Sequence, residues 1–369
     1  MIDEVNKIYE AYPVFKFNKA IRLFNNHPER QALVVTAIFF LLIILASFID
    51  HTFHLPGTDI GLFEHPAIWT FLILQAIIPF VFKKAVSNFF GFLDGAEIVK
   101  EGTDLSKYRT VYTKHIYRKT NVGRVIYVLL ITIGLGCFVW NSFQNQDPYR
   151  IVGFDFWDSI NHVFGYWITR VYKFYLWVLF FPSIVHMHIS LLLTLNKLLK
   201  DAIEENFFSL KPFHQDEYGG VGKIIKTAID PCIPVLLLAS LSVLSALLIH
   251  RQLSVTPIVG ICVLSALFVV VYLIPAVTLR KIIQSEKKRQ LTEVTQTQNA
   301  FFYKLSDTNE SGSLSRNLET INGLAPIYKQ IKSISSWPYL NSVIKVVGII
   351  NLPILMNIAK TLWPILTNK

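Results

Sequence analysis

The chain has 369 residues, 52% of them hydrophobic and only 16% charged, whereas a soluble globular chain carries about 25% charged residues. With a mean hydropathy of +0.44, this composition excludes an ordinary soluble enzyme. Lys and Arg number 35 against 25 Asp and Glu, a formal net charge of +10, and in a membrane protein such an excess first anchors loops on one side of the bilayer.

The first 30 residues hold Asp3, Glu4, Glu10 and Glu29 and no apolar run long enough for a signal-peptide core, so the first span is expected to do the targeting. Residues 8–24 mix Tyr9, Tyr12, Phe15 and Phe17 with Lys16, Lys19 and Arg22, a pattern that predicts an amphipathic helix in the inner headgroup layer within a segment 1–31. Six apolar blocks follow, at 32–49, 67–82, 125–140, 174–195, 231–249 and 258–277. Alone or with its flanks, each can cross a hydrocarbon core of about 30 Å.

Basic residues alternate between the connecting segments. Five precede the first block, none lies between the first and second, and nine fall between the second and third. Arg150, Arg170 and Lys173 lie between the third and fourth; five more (Lys197, Lys200, Lys211, Lys223, Lys226), then Arg251 alone, then twelve from Arg280 onward complete the series. The positive-inside rule therefore puts both termini in the cytoplasm. Trp69, Trp140 and Trp177 fall near expected span ends, and Pro79, Pro182, Pro231, Pro234 and Pro275 lie in or beside spans that they would bend.

The predicted fold is all-α: a six-span domain over 32–278 with cytoplasmic loops 83–124 and 196–230, and a cytoplasmic helical region over 279–369. In that last region, 280–303 reads as a helix leaving the membrane, 306–315 as a loop and 318–334 as a further helix. The apolar end, 339–366, is broken by Pro353 and bracketed by Lys345 and Lys360, which favours an interfacial or re-entrant helix over a seventh span.

Catalytic signatures are missing. Neither Gly-x-Gly-x-x-Gly nor Gly-x-x-x-x-Gly-Lys-Ser/Thr occurs, nor His-Glu-x-x-His, nor a Gly-x-Ser-x-Gly elbow, so the chain is not expected to be an enzyme, and no cofactor is expected. His51, His54, Glu64 and His65 are metal-ligand types on an outer loop, but their spacing matches no known site, and the three cysteines, Cys137, Cys232 and Cys262, behave as small hydrophobes. His186 and His188 lie inside the fourth block, where an ionisable residue is a candidate for an internal polar path. Because no block has a charge at its centre, a pore sealed by apolar side chains is the alternative to an ion-coupled carrier, with Leu244 and Ser245 in the fifth block as lining candidates.

The most distinctive stretch, Lys211-Pro212-Phe213-His214-Gln215-Asp216-Glu217-Tyr218-Gly219-Gly220-Val221-Gly222-Lys223, joins the fourth and fifth blocks. It resembles the His-Pro-Asp-x-x-Gly-Gly loop of a group of bacterial multi-pass membrane proteins, most without an assigned activity; His214, Asp216, Gly219 and Gly220 match, and Gln215 stands in place of the proline. In general character the chain also resembles membrane effectors of anti-phage operons, of the Hailong type. Exposed backbone amides at a helix start favour anions. With Lys211, Lys223, Lys226, Arg280, Lys281 and the run Lys287-Lys288-Arg289, converging from several subunits of a homo-oligomer, the loop is the candidate site for the phosphates of a nucleotide or short nucleic acid. Anionic lipid headgroups are the simpler partner for the same cations.

Overall fold

The computed structural model describes residues 2–20, 27–55, 61–63, 66–94, 99–100, 102–139, 157–211, 213, 219–229, 255–307 and 311–335. Among them all regular structure is helical, apart from one isolated bridge between Val99 and Phe208. The helices are α1 (Ile2–Glu10), α2 (Pro13–Ala20), α3 (Pro28–Ile49), α4 (Pro66–Asp94), α5 (Ser106–Ile116), α6 (Asn121–Val139), α7 (Val163–Phe174), α8 (Phe181–Glu204), α9 (Gly222–Ile229), α10 (Val255–Asp307) and α11 (Ser311–Ser333). A π-helical stretch, Tyr175–Phe180, joins α7 to α8.

Among the described residues, four stretches are long and apolar enough to cross a membrane: Glu29–Ile49, Ile68–Asp94, Ser106–Val139 and Val163–Glu204. They contain the first four blocks. The fifth, with Leu244 and Ser245, lies outside the described residues, as does 339–366; the sixth forms the first half of α10, of whose side chains those from Leu279 onward enter the packing described here. Antiparallel packing follows from the ties at each end. At the near end, Lys83 of α4 donates to Glu29 at the start of α3 (2.7 Å); at the far end, the amide of Gly165 in α7 donates to Asp50 just past α3 (2.7 Å).

The helix that carries the fourth block begins at Val163, eleven residues before the block itself. Arg170 and Lys173 interrupt the apolar count, yet both lie inside the helix because their charges are satisfied beside it. The Arg170 guanidinium sits 3.3 Å from the centroid of the Tyr166 ring and donates to the Tyr166 carbonyl, while Lys173 pairs with Asp158 at 3.4 Å. Trp177 lies in the π-helical stretch, fourteen residues past the start of that helix at Val163. The whole rod, 42 residues, is about 63 Å long, twice the hydrocarbon thickness. Its π-helical stretch has a local cause: Pro182 has no N–H for the Val178 carbonyl and its ring crowds that turn, so the register slips by one residue just before it.

Helix α8 is the axis of the bundle, since 61% of the apolar window in its span is buried against 17% in the span containing α6. Beyond it, the near end carries a layer rich in aromatic groups. Phe82, Phe89, Phe90, Tyr108 and Tyr112 are fully enclosed there, and Tyr108 donates to Asp201 at 2.8 Å, fixing α5 on the end of α8. Helix α10 is continuous through Pro275 and reaches 53 residues, about 80 Å, so the sixth block and the expected exit helix are one element.

Candidate functional site

The N-terminal helices form a short pair turned at Pro13, in place of one helix across 8–24. Their aromatic face, assigned by sequence to the headgroup layer, packs on protein: Val5, Ile8, Tyr9, Tyr12, Val14 and Phe15 are all buried, while Lys7, Pro13 and Lys16 face outward. Four polar ties hold the pair. The Tyr9 hydroxyl donates to the carbonyl of Pro79 inside α4 (2.8 Å). Tyr12 meets His186 Nδ1 of α8 (2.6 Å), Tyr117 donates to the Lys7 carbonyl (3.0 Å), and Arg118 donates to the Ala11 carbonyl. Burial holds both the Tyr9 and the Tyr12 phenol well above the ordinary tyrosine value, so each stays a neutral donor.

His186 is the centre of this cluster. Its Nε2 lies 2.8 Å from the Gly123 carbonyl, which can only accept; the proton is therefore on Nε2, and Nδ1 accepts from Tyr12. Both ring nitrogens are used. The ring also meets Tyr127 edge-on at 5.2 Å, and the Arg118 guanidinium lies 4.5 Å from the Tyr127 centroid. His186 thus ties the turn between α1 and α2 to α6 and α8. His188, two residues on, stands edge-on to Phe82 at 5.7 Å, so the two histidines belong to different contacts.

The loop ahead of α9 is closed by the amide of Lys211 donating to the Gly219 carbonyl (3.1 Å). Gly219 and Gly220 take φ of +72° and +95°, left-handed values that glycine adopts without strain, and a Cβ on Gly219 would come within 3.1 Å of Leu210. Both glycines therefore serve the turn itself. His214 and Asp216 lie outside the described residues, and so does the Lys223 side chain; Lys211 and Lys226 are exposed. The loop touches the long helix directly, since Gln290 donates to the Leu210 carbonyl at 2.7 Å.

The basic run on α10 divides into structural and exposed members. Lys287 donates to the carbonyls of Lys332 (2.6 Å) and Ile334 (2.9 Å), capping the end of α11 against its dipole. Burial, and then the nearby Lys332, pull its ammonium below the ordinary lysine value. Arg289 is bound to Glu286 (2.6 Å) and to Glu293 on its own helix. Lys281 and Lys288 are exposed and seven residues apart, hence on one face, and Arg280, one residue before Lys281, is half-buried. Sequence reasoning counted cations here and passed over the acidic partners, whose i−3 and i+4 spacing was the available signal. Replacing Lys287 by methionine is expected to lower stability by about 1 kcal/mol by uncapping α11, read as an earlier unfolding midpoint in detergent.

In the stretch after α3, His54 stacks on Phe63 at 5.3 Å, and no group of three metal-ligating side chains occurs among the described residues. The chain matches no known family model, no curated protein and no solved structure.

Proposed function

We propose that the chain is an oligomeric, channel-like effector of the bacterial inner membrane, with six spans and both termini cytoplasmic, opened from the cytoplasm by an anionic ligand such as a nucleotide or short nucleic acid. Anti-phage defence is the setting the resemblance implies. The observation that carries this reading is α10, one unbroken helix that begins in the sixth apolar block and ends in the polar layer, where Lys287 fastens it to α11 and Gln290 to the loop before α9. A rigid rod of this kind passes a displacement at the polar end to the membrane end. Lys211, Lys226, Lys281 and Lys288, which are exposed, are the cations this reading gives to the ligand.

Topology is tested first. In a version without Cys137, Cys232 and Cys262, cysteines at Thr58 and Gln146 are expected to react with an impermeant thiol reagent outside intact cells, and one at Ser311 is not; labelling at Ser311 overturns the orientation. For the ligand, Lys281→Gln with Lys288→Gln is expected to weaken binding of a labelled oligoadenylate and to lower the slope of log K against log salt by roughly one unit per phosphate contact removed. An unchanged slope places the site elsewhere. For the pore, Leu244→Asn is expected to wet an apolar seal and leak in planar bilayers without ligand. Silence from this variant and from the ligand-treated parent removes the channel reading.

A small-solute carrier is the second reading. It is favoured by Arg170 and Lys173, charges in the helix that runs on into the fourth apolar block; charges inside a span commonly mark a solute path. Saturable uptake without unitary current decides for it.

A further inference from the structure

We infer that the first, second and fourth spans of a single protomer enclose a path for protons, marked by buried polar side chains without hydrogen-bond partners. The path does not rest on the channel reading, which puts its pore in the fifth and sixth blocks.

Trp157, Thr169, Tyr172 and Gln75 are each at most 1% exposed. The Trp157 Nε1, the Thr169 and Tyr172 hydroxyls and both ends of the Gln75 amide have no hydrogen-bond partner among the described residues. Polar groups left this way inside a membrane domain are costly, and they are functional candidates for that reason.

The four residues are aligned. Gly165, Thr169 and Tyr172 follow one another on a single face of α7, the face turned to α3: Gly165 binds Asp50, and Tyr172 meets Phe39 at 4.9 Å. Trp157 lies over Gly165, where a Cβ would strike its carbonyl and come within 3.3 Å of its ring. On α4, Gln75 falls between two ties to α3, Trp69 with Phe40 (5.8 Å) and Lys83 with Glu29 (2.7 Å), which puts it opposite Thr36, about one turn beyond Phe39. It shares a helix face with Phe71 and Phe82, whose rings meet Phe181 and His188 of α8, so its amide is turned to the interior. One turn further along α4, the Tyr9 hydroxyl sits on the Pro79 carbonyl. Tyr9 stands close enough to Glu29 and Tyr112 for both to act on its phenol, and the second Glu29 oxygen and the Tyr112 hydroxyl are again buried without partners among the described residues.

The series runs from Glu29 to Asp50, about 30 Å along α3, the thickness of the hydrocarbon core. Its members are about one or two helical turns apart, gaps that one to three waters bridge, and such waters would satisfy every orphaned group. Hydroxyls and water both donate and accept. A proton entering at Glu29 therefore leaves at Asp50 as each O–H···O bond shifts along the series. Gln75 and Trp157 are not relays; they hold the waters beside them.

The test uses the full chain in pyranine-loaded, potassium-rich liposomes, where valinomycin sets an inside-negative potential that draws protons inward. The parent is expected to acidify the interior several-fold faster than protein-free vesicles. Gln75→Leu keeps the volume and removes the orphaned amide, so it is expected to lower the protein-dependent rate about tenfold while its thermal midpoint in detergent stays level or rises. Tyr172→Phe is expected to slow acidification as well. A parent rate equal to that of empty vesicles overturns the path, and so does folded Gln75→Leu at the parent's rate, because the orphaned groups are then isolated. A lower midpoint for Gln75→Leu shows that the amide has a partner and overturns the path too. Acidification that depends on Gln75, with no potassium flux from Leu244→Asn or the ligand-treated parent, upholds the path and removes only the channel reading.

Discussion

Gly134→Val is expected to abolish the folded state in mild detergent, while Gly136→Ala, one helical step away, leaves it intact. The two glycines look alike in sequence and differ completely in surroundings. A Cβ at Gly134 would overlap the carbonyl oxygen of Trp177 and sit 3.2 Å from Pro182, whereas nothing lies within 4 Å of the same position at Gly136. The obstacle at Gly134 is main chain of the π-helical stretch, which has no rotamer to move, so α6 itself must shift away from α7 and α8. Overpacking ordinarily costs about 1–3 kcal/mol; a clash with backbone at a helix crossing belongs at or above the upper end. In lipid the loss is compounded, because helix association there depends on close packing in place of a hydrophobic driving force. Size-exclusion profiles and thermal midpoints of the two variants check it. Equal behaviour would mean that α6 does not cross the π-helical stretch at Gly134.

The two glycines show where sequence reading stops. The first three spans were legible because uncharged runs of this length have few other uses, and α3 also announces itself with Pro28 in its first turn. The early start of the fourth helix was not legible, because Arg170 and Lys173 count as loop residues in any hydropathy window; their compensation by Tyr166 and Asp158 is a fact of three dimensions. The N-terminal pair posed a different problem. An aromatic face opposite lysines is the same pattern whether it meets lipid or protein, and here it meets protein. For α10, the run Lys287-Lys288-Arg289 drew attention as charge, but one member caps a neighbouring helix and another is neutralised by Glu286 and Glu293. Only the second of these was written in the local sequence.

The hydrogen bond between Tyr12 and His186 joins residues 174 apart in sequence, and no local pattern could have paired them. Its expected signature is strong non-additivity. Tyr12→Phe removes one donor and leaves Nδ1 of a fully buried imidazole unsatisfied, at about 1–2 kcal/mol. His186→Leu is worse, since it strands the Tyr12 hydroxyl, at about 1–3 kcal/mol, removes the second donor to the Gly123 carbonyl and opens contacts with Tyr127. In the double variant the hydroxyl is gone, and the Gly123 carbonyl keeps its helical bond, so no group is stranded. The double is therefore expected to be less destabilised than the sum of the singles, by roughly 1–2 kcal/mol of coupling. Equilibrium unfolding of the four proteins in a mixed micelle series measures this directly. Strict additivity would show that Tyr12 and His186 do not share a hydrogen bond, and the tie between the N-terminal pair and α8 would then rest on apolar packing alone.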